Sequence, residues 1–398
     1  MFKLTNAAQC IVLSGLWSFI VLQSVSVPFF LSRGLTMNDV LYIQAAFLTV
    51  CCLMEIPCGF FADRFGKRTA VVAASIFRVA GAATLVFSHS VTSFTVAYIF
   101  IAIGNALFSG TDISAIYQSS KDQKVITARF GALKMVNLIS YAVSAILGGI
   151  IANWSLDAAA VANLLLASLT LPAALRVYTS DTLIETRIVK NVLPSLLDLP
   201  RVLIRHAKRS QMLLVILSLS FVSVCSGMSQ YIFQAQWVDL GLEPTWFGII
   251  IAGKAIASSV LTYRISNQRN PIQFTTGFSC ALFLPPVAFA IAAFNNLACS
   301  IVAVFLLEVS LIFRFIHLST QANHFIENSV RVSFNSFVSF LGSMAIATCS
   351  YLISHSGIDV TDSSFYLGAA IVTVAIAMLL HLARLIWKIP FQNQNSGN

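Results

Sequence analysis

Apolar stretches of about 20 residues recur along the whole chain, and nothing else in it limits the fold so strongly. Inside hydrocarbon the backbone N–H and C=O groups have no water to bond, so a crossing segment must satisfy them within itself, as an α-helix does. Transmembrane strands would instead leave alternating segments of about ten residues. Hydropathy predicts helices over 10–31, 40–62, 69–88, 93–117, 130–152, 158–178, 211–237, 244–265, 271–294, 297–323, 332–354 and 363–387. The stretch Cys10–Leu31 is longer than the apolar core of a signal peptide, and we read it as a retained first helix. Charged residues make up 10% of the chain, well below the roughly one quarter usual in soluble domains. The expected fold class is therefore an all-α membrane protein with twelve transmembrane helices.

Charge tests that count. With the N-terminus inside, the inner segments carry Lys3; Arg64, Lys67 and Arg68; Lys121, Lys124 and Arg129; the run from Arg176 to Arg209; Arg264 and Arg269; Arg331; and Arg384 and Lys388. The outer segments hold Arg33 alone among the basic residues, alongside Asp39, Asp157, Asp239, Glu243, Asp359 and Asp362. Positive residues collect in cytoplasmic loops, and a wrong number of spans would scramble this alternation. The same dispersal explains the net charge of +9 without nucleic acid. Both termini are expected to be cytoplasmic.

One long inner loop divides the chain. Residues 179–210 interleave Arg187, Lys190, Arg201, Arg205, Lys208 and Arg209 with Leu193, Leu196, Leu197, Val202 and Leu203, a pattern suited to short amphipathic helices on the inner leaflet. The expected domains are a six-helix bundle over 1–178, this linker, and a second six-helix bundle over 211–398. A faint repeat links the halves: Ser259-x-x-x-Tyr263-Arg264 occupies the place that Gly59-x-x-x-Asp63-Arg64 occupies in the first.

Several chemistries are unsupported by motif. The eight cysteines fall in or beside apolar segments with no paired or Cys/His metal spacing, and we read them as small apolar helix residues. There is no nucleotide-binding loop, metalloprotease helix or serine-hydrolase elbow. No enzyme activity, metal or cofactor is expected.

Residues 59–68 read Gly-Phe-Phe-Ala-Asp-Arg-Phe-Gly-Lys-Arg, a small charged turn between two spans. Gly59 and Gly66 suit close approach and a sharp turn, and Arg64, Lys67 and Arg68 suit anchoring inside. This stretch resembles the loop between the second and third helices of the major facilitator superfamily, with Lys67 where that family often has arginine. The resemblance implies two pseudo-symmetric six-helix bundles and secondary transport. It also implies that Asp63 meets the positive end of the eleventh helix near Val332, as a conformational latch. Glu55-Ile56-Pro57-x-Gly59 resembles the end of the second helix in a bacterial branch of the family. Ser109-Gly110-Thr111-Asp112-x4-Tyr117 resembles the same branch, with Gln118 replacing its usual acid, and so does Gln234-x-x-Trp237-x-x-x-Gly241-Leu242 followed by Phe247-Gly248. In the fifth span, Gly131-x8-Ser140-x3-Ser144-Ala145-x2-Gly148-Gly149 keeps the spacing of the family's antiporter motif without its proline. Small residues also allow close helix packing, which accounts for the same positions.

Glu55, Arg78, Asp112, Lys134, Lys254, Glu308, Arg314 and His317 all fall within the expected spans. A central charge costs at least about 2.5 kcal/mol on insertion scales, so these groups should face other helices or a wet cavity. Glu55, Asp112 and Glu308 are candidates for proton coupling, and Arg78, Lys134, Lys254 and Arg314 are their candidate charge partners; fixed structural ion pairs are the competing role. The resemblance places cargo contacts on helices 1, 4, 7 and 10, where Trp17, Gln23, Asn105, Gln230, Tyr231, Gln234 and Trp237 are candidates; Trp237 also suits an interfacial aromatic belt. The functional expectation is a monomer in the bacterial inner membrane that exports a small organic molecule (drug, siderophore or metabolite) in exchange for protons. The alternatives are proton symport of an anionic or polar nutrient, and a receptor or scaffold that keeps the fold without moving cargo.

Overall fold

The computed structural model describes residues 6–109, 122–176, 209–266, 273–324 and 331–387. Twelve helices among them are long and apolar enough to cross a membrane: α1 Ala7–Ser32, α2 Met37–Phe65, α3 Lys67–Phe87, α4 Val91–Phe108, α5 Val125–Trp154, α6 Leu156–Arg176, α7 Ser210–Asp239, α8 Pro244–Ile265, α9 Phe274–Ala292, α10 Leu297–Ala322, α11 Phe334–Ser356 and α12 Ser363–Ile386. The residues 110–121, with Gly110, Thr111, Asp112, Tyr117 and Gln118, lie outside the described residues, as does most of the 179–210 linker. Contacts divide the chain into two compact units. The first is Met1–Thr186 with Gly241–Ile256 and Ser350–Gly357; the second is Arg187–Leu240, Ala257–Cys349 and Ile358–Asn398.

In the first unit, helix starts are marked by side chains that satisfy orphan N–H groups. Thr36 and Asp39 form a reciprocal box at the start of α2, with Asp39 Oδ2 accepting from Thr36 N at 2.8 Å. Ser90 and Ser93 repeat the device at α4. Arg33 acts as a clasp across three segments. It ion-pairs with Asp157 at 2.7 Å, donates to the Ser88 and Val86 carbonyls at 3.2 and 3.3 Å, and lies over the Phe29 ring. Its position among acidic loops thus reflects a tie between the ends of α1, α3 and the start of α6.

Two expectations need correction. The charged turn over 59–68 is much shorter than its sequence suggests: α2 stays helical through Phe65 and α3 starts at Lys67, leaving Gly66 alone, at φ 87°, to reverse the chain. Gly59 lies inside α2, and a Cβ there would meet nothing within 4 Å, so it makes no close approach in this conformation. The first span is also not one continuous helix. It runs as an α-helix over Asn6–Ser18, a 3-10 segment over Val21–Val25 and a second α-helix over Ser26–Ser32. Pro28 sits in the first turn of that last piece, where its missing N–H costs no intrahelical bond.

The second unit contains an uninterrupted helix over Arg209–Asp239 and a locally rewound α10, in which Arg314–Ser319 form a π-helix. Small residues bring helices together. Gly227 faces Ile346, Gly342 faces Ser223, and Ser310 Oγ donates to the Ala281 carbonyl at 2.7 Å. All eight cysteines are free thiols.

Candidate functional site

The break in α1 creates a local problem. A helix that stops inside a membrane leaves its last carbonyls without N–H partners. Arg78, buried on α3, answers it: one guanidinium nitrogen donates to Trp17 O at 2.6 Å and the other to Leu16 O and Phe19 O at 3.5 and 3.3 Å. A cation at the C-terminal end of a helix is also favoured by the helix dipole. Arg78 therefore caps the first piece of α1. No ion pair joins it to a carboxylate among the described residues, so its expected role as a charge partner takes this form instead.

The capped end presents Trp17. The Arg78 guanidinium lies 4.6 Å from its ring centroid, Phe108 stacks on it at 4.2 Å with planes 8° apart, and its indole N–H donates to Asn105 Oδ1 at 3.2 Å. These groups open onto a cavity of about 520 Å³ lined by Trp17, Ser18, Ile20, Asn105, Phe108, Ser109, Asn137 and Tyr141. That volume is within the range of small-molecule sites, and mixed rings and amides are their usual lining. Asn137 Oδ1 is buried and accepts no hydrogen bond.

The other candidates are dispersed. Gln23 is half-buried on the 3-10 segment. Glu55 is exposed on α2, and Asp63 and Arg64 are exposed in its last turn. Arg68 is exposed on α3 and donates to Leu175 O at 3.2 Å, while Lys67 is half-buried. Lys134 is exposed on α5 and Lys254 half-buried on α8. In the second unit, Glu308 is half-buried, and Arg314 Nε donates to Leu219 O at 3.1 Å. Gln230 is half-buried, Tyr231 is nearly enclosed, and Gln234 is fully buried. Trp237 is 2% exposed and its indole N–H donates to Ser300 Oγ at 2.7 Å, so its ring packs between α7 and α10 instead of lining a cavity or an interface.

The helix-5 motif divides in use. Gly131 faces open space. Ser140 lies against Gly15, and Ser144 Oγ bonds Tyr141 O at 2.9 Å. Ala145 O accepts from Ser24 Oγ at 3.0 Å. A Cβ on Gly148 would collide with Val21 O, and one on Gly149 would lie 2.7 Å from Pro244 O. The closing pair of glycines thus admits the 3-10 segment of α1 and the first turn of α8 against the α5 backbone.

Sequence reasoning found Trp17 and Asn105 and missed Phe108, Asn137 and Tyr141. Phe108 looked like one more apolar residue of the span. Asn137 and Tyr141 sit on α5, where the sequence signals are a motif of small residues and the charge of Lys134. Spacing offered a usable signal: Lys134, Asn137 and Tyr141 recur at i, i+3 and i+7, one face of a helix.

Twelve helices long and apolar enough to cross a membrane, with a small-molecule-sized cavity beside a broken first helix in the first unit, define a multi-pass membrane protein. Residues 9–348 match the family model of the Major Facilitator Superfamily. The chain belongs to that family. No curated protein matches it. Among solved structures it is similar to a peptide transporter, POT, in complex with sulfate, at 14% identity and a TM-score of 0.76 over 96% of this chain and 94% of that one. It is similar to a mutant of the nucleoside transporter NupG, at 11% identity and a TM-score of 0.75 over 96% and 100%. It is also similar to an auto-inhibited POT family peptide transporter, at 15% identity and a TM-score of 0.71 over 99% and 98%. At such identities these likenesses establish the fold.

Proposed function

We propose that this secondary transporter exports a small organic molecule by proton-coupled alternating access, with the cavity at Trp17 holding the cargo and opening to each side of the membrane in turn. The observation that carries the cargo reading is the wall of that cavity: Trp17 is fixed by contacts within the protein, to Arg78, Asn105 and Phe108. A site held rigid in advance loses less freedom on binding. The helix-5 motif favours export, and Asp63 serves as the latch of one access state. A carboxylate within the spans that alternates between proton and cation would couple the two fluxes, with Glu55, Asp112 and Glu308 as candidates. The protein acts as a monomer in the bacterial inner membrane with both termini in the cytoplasm, and its two bundles are 1–178 and 211–398.

A second reading is proton symport of an anionic solute, which the exposed Lys134 favours. Flux in inverted vesicles under an imposed pH gradient separates the two by direction. Glu55→Gln, Asp112→Asn and Glu308→Gln identify the coupling acid: one of them abolishes gradient-driven flux while sparing passive exchange. Normal driven flux in all three removes proton coupling through these groups. Cargo binding with no flux under any gradient would replace transport with a receptor role.

A further inference from the structure

Lys134 is a basic residue inside a membrane span and has no hydrogen bond or ion pair among the described residues. Its direction follows from helix geometry. The exposed apolar residues of α5, Met135, Ile139, Val143, Leu147 and Ile150, form one stripe that suits lipid. At about 100° per residue, Lys134 stands a quarter-turn or more off that stripe and about 20° from Tyr141, seven residues on. Asn137 is about 60° away and roughly 4.5 Å along the axis. Tyr141 and Asn137 both line the cavity. Lys134 is therefore on the cavity face, about one turn from Asn137 and two turns from Tyr141.

The rest of the wall defines what such an ammonium would meet. The described lining contains no carboxylate and no cation, and Lys134 stands just beyond it. The Arg78 guanidinium, behind Trp17, is committed to the carbonyls of Leu16, Trp17 and Phe19 and does not compete for an anion. Three rings, those of Trp17, Phe108 and Tyr141, supply the apolar surface, and Asn137 Oδ1 lacks a donor. We propose that the cavity takes an aromatic carboxylate bearing an N–H or O–H donor: its ring against Trp17, Phe108 and Tyr141, its donor on Asn137 Oδ1, and its carboxylate on the Lys134 ammonium. This rests on the cavity being the cargo site and fixes the class of cargo, which neither direction of transport does.

The test is equilibrium binding to the full chain in nanodiscs with four probes of nearly one shape: indole-3-acetate, neutral indole-3-acetamide, cationic tryptamine, and 1-methylindole-3-acetate, which lacks the ring donor. Indole-3-acetate should bind at least tenfold more tightly than the amide, and tryptamine should be the weakest. Lys134→Gln should bring acetate and amide within twofold, whereas Lys134→Arg keeps the preference. Asn137→Leu should erase the advantage of indole-3-acetate over its 1-methyl form. Because Lys134 is exposed and unbonded, the thermal midpoint of Lys134→Gln should match wild type, which separates a lost contact from a lost fold. An amide that binds as well as the acid, a preference that survives Lys134→Gln, or no binding by any probe overturns the proposal. Flux in proteoliposomes keeps the two readings apart. Probes bound with these preferences but never moved leave the site assignment standing and remove transport; probes moved at rates indifferent to Lys134 do the reverse.

Discussion

The two units solve the same local problems with opposite consequences for access. Each has a tryptophan on its first helix whose indole N–H bonds the fourth helix of that unit's series, Trp17 to Asn105 and Trp237 to Ser300. Each has an arginine donating to a carbonyl of that first helix, Arg78 to Trp17 O and Arg314 to Leu219 O. In the first unit the helix is broken, so the arginine satisfies three carbonyls and the tryptophan faces a cavity. In the second the helix is continuous, the irregularity moves to the π-helix of α10, and the tryptophan is enclosed. The lesson is that a residue type at a matching place does not carry a matching role. What decides is whether the backbone beside it has groups left to satisfy.

The contrast can be broken at its strongest point first. Trp237→Ala removes a fully enclosed ring and should destabilise the protein by about 3–5 kcal/mol, read as a large fall in thermal midpoint, while the protein that remains folded binds cargo normally. Trp17→Ala should do the opposite, with a smaller thermal loss and at least a tenfold loss of cargo affinity; reversed results would undo the assignment of the cavity to the first unit. Next, Arg78→Leu strands the Trp17 and Phe19 carbonyls, while Leu16 O keeps the Phe19 N–H at 3.3 Å, and should cost about 2 kcal/mol or more, at roughly 1 or above for each unsatisfied buried group. Arg314→Leu strands none, because Leu219 O also accepts from Ser223 Oγ at 2.8 Å, and loss of the single bond should cost about 1 kcal/mol, so equal midpoints for the two variants would erase the distinction between a cap and a single bond. Within α5, Gly148→Ala drives a methyl into the 3-10 segment and should cost about 1–3 kcal/mol, whereas Gly131→Ala, facing open space, should stay within about 0.5 kcal/mol of wild type. The smallest thermal effect belongs to Asp63→Asn, an exposed change that should slow turnover and leave binding intact; unchanged turnover removes the latch.

Much of the fold was legible because bilayer physics leaves few choices. Long apolar runs place eleven of the twelve spans to within about five residues, and Pro244, Leu297 and Ser363 begin helices where hydropathy expects them, whereas α4 ends at Phe108 and the rest of its expected span to 117 lies largely outside the described residues. The irregular backbone was less legible. Nothing at Phe19 or Ile20 breaks a helix by composition, and only Pro28, several residues later, marks the restart. The 59–68 stretch shows its glycine–charge pattern in sequence but not the length of its turn, because Gly66 alone has the positive φ that the reversal needs. The site was half legible. Trp17 and Asn105 are visible as polar or amphipathic residues within apolar spans, but their pairing across 88 residues depends on α1 and α4 being neighbours, which no local pattern encodes.

The proposed transport carries cargo through the cavity built against the broken first helix. Its most direct test is gradient-driven movement of indole-3-acetate by purified protein in proteoliposomes, wild type beside Trp17→Ala. We predict flux that depends on the imposed pH gradient, collapses when an ionophore dissipates it, and falls at least tenfold in the variant. Flux no greater than that of protein-free liposomes, or equal flux in the two proteins, would contradict it.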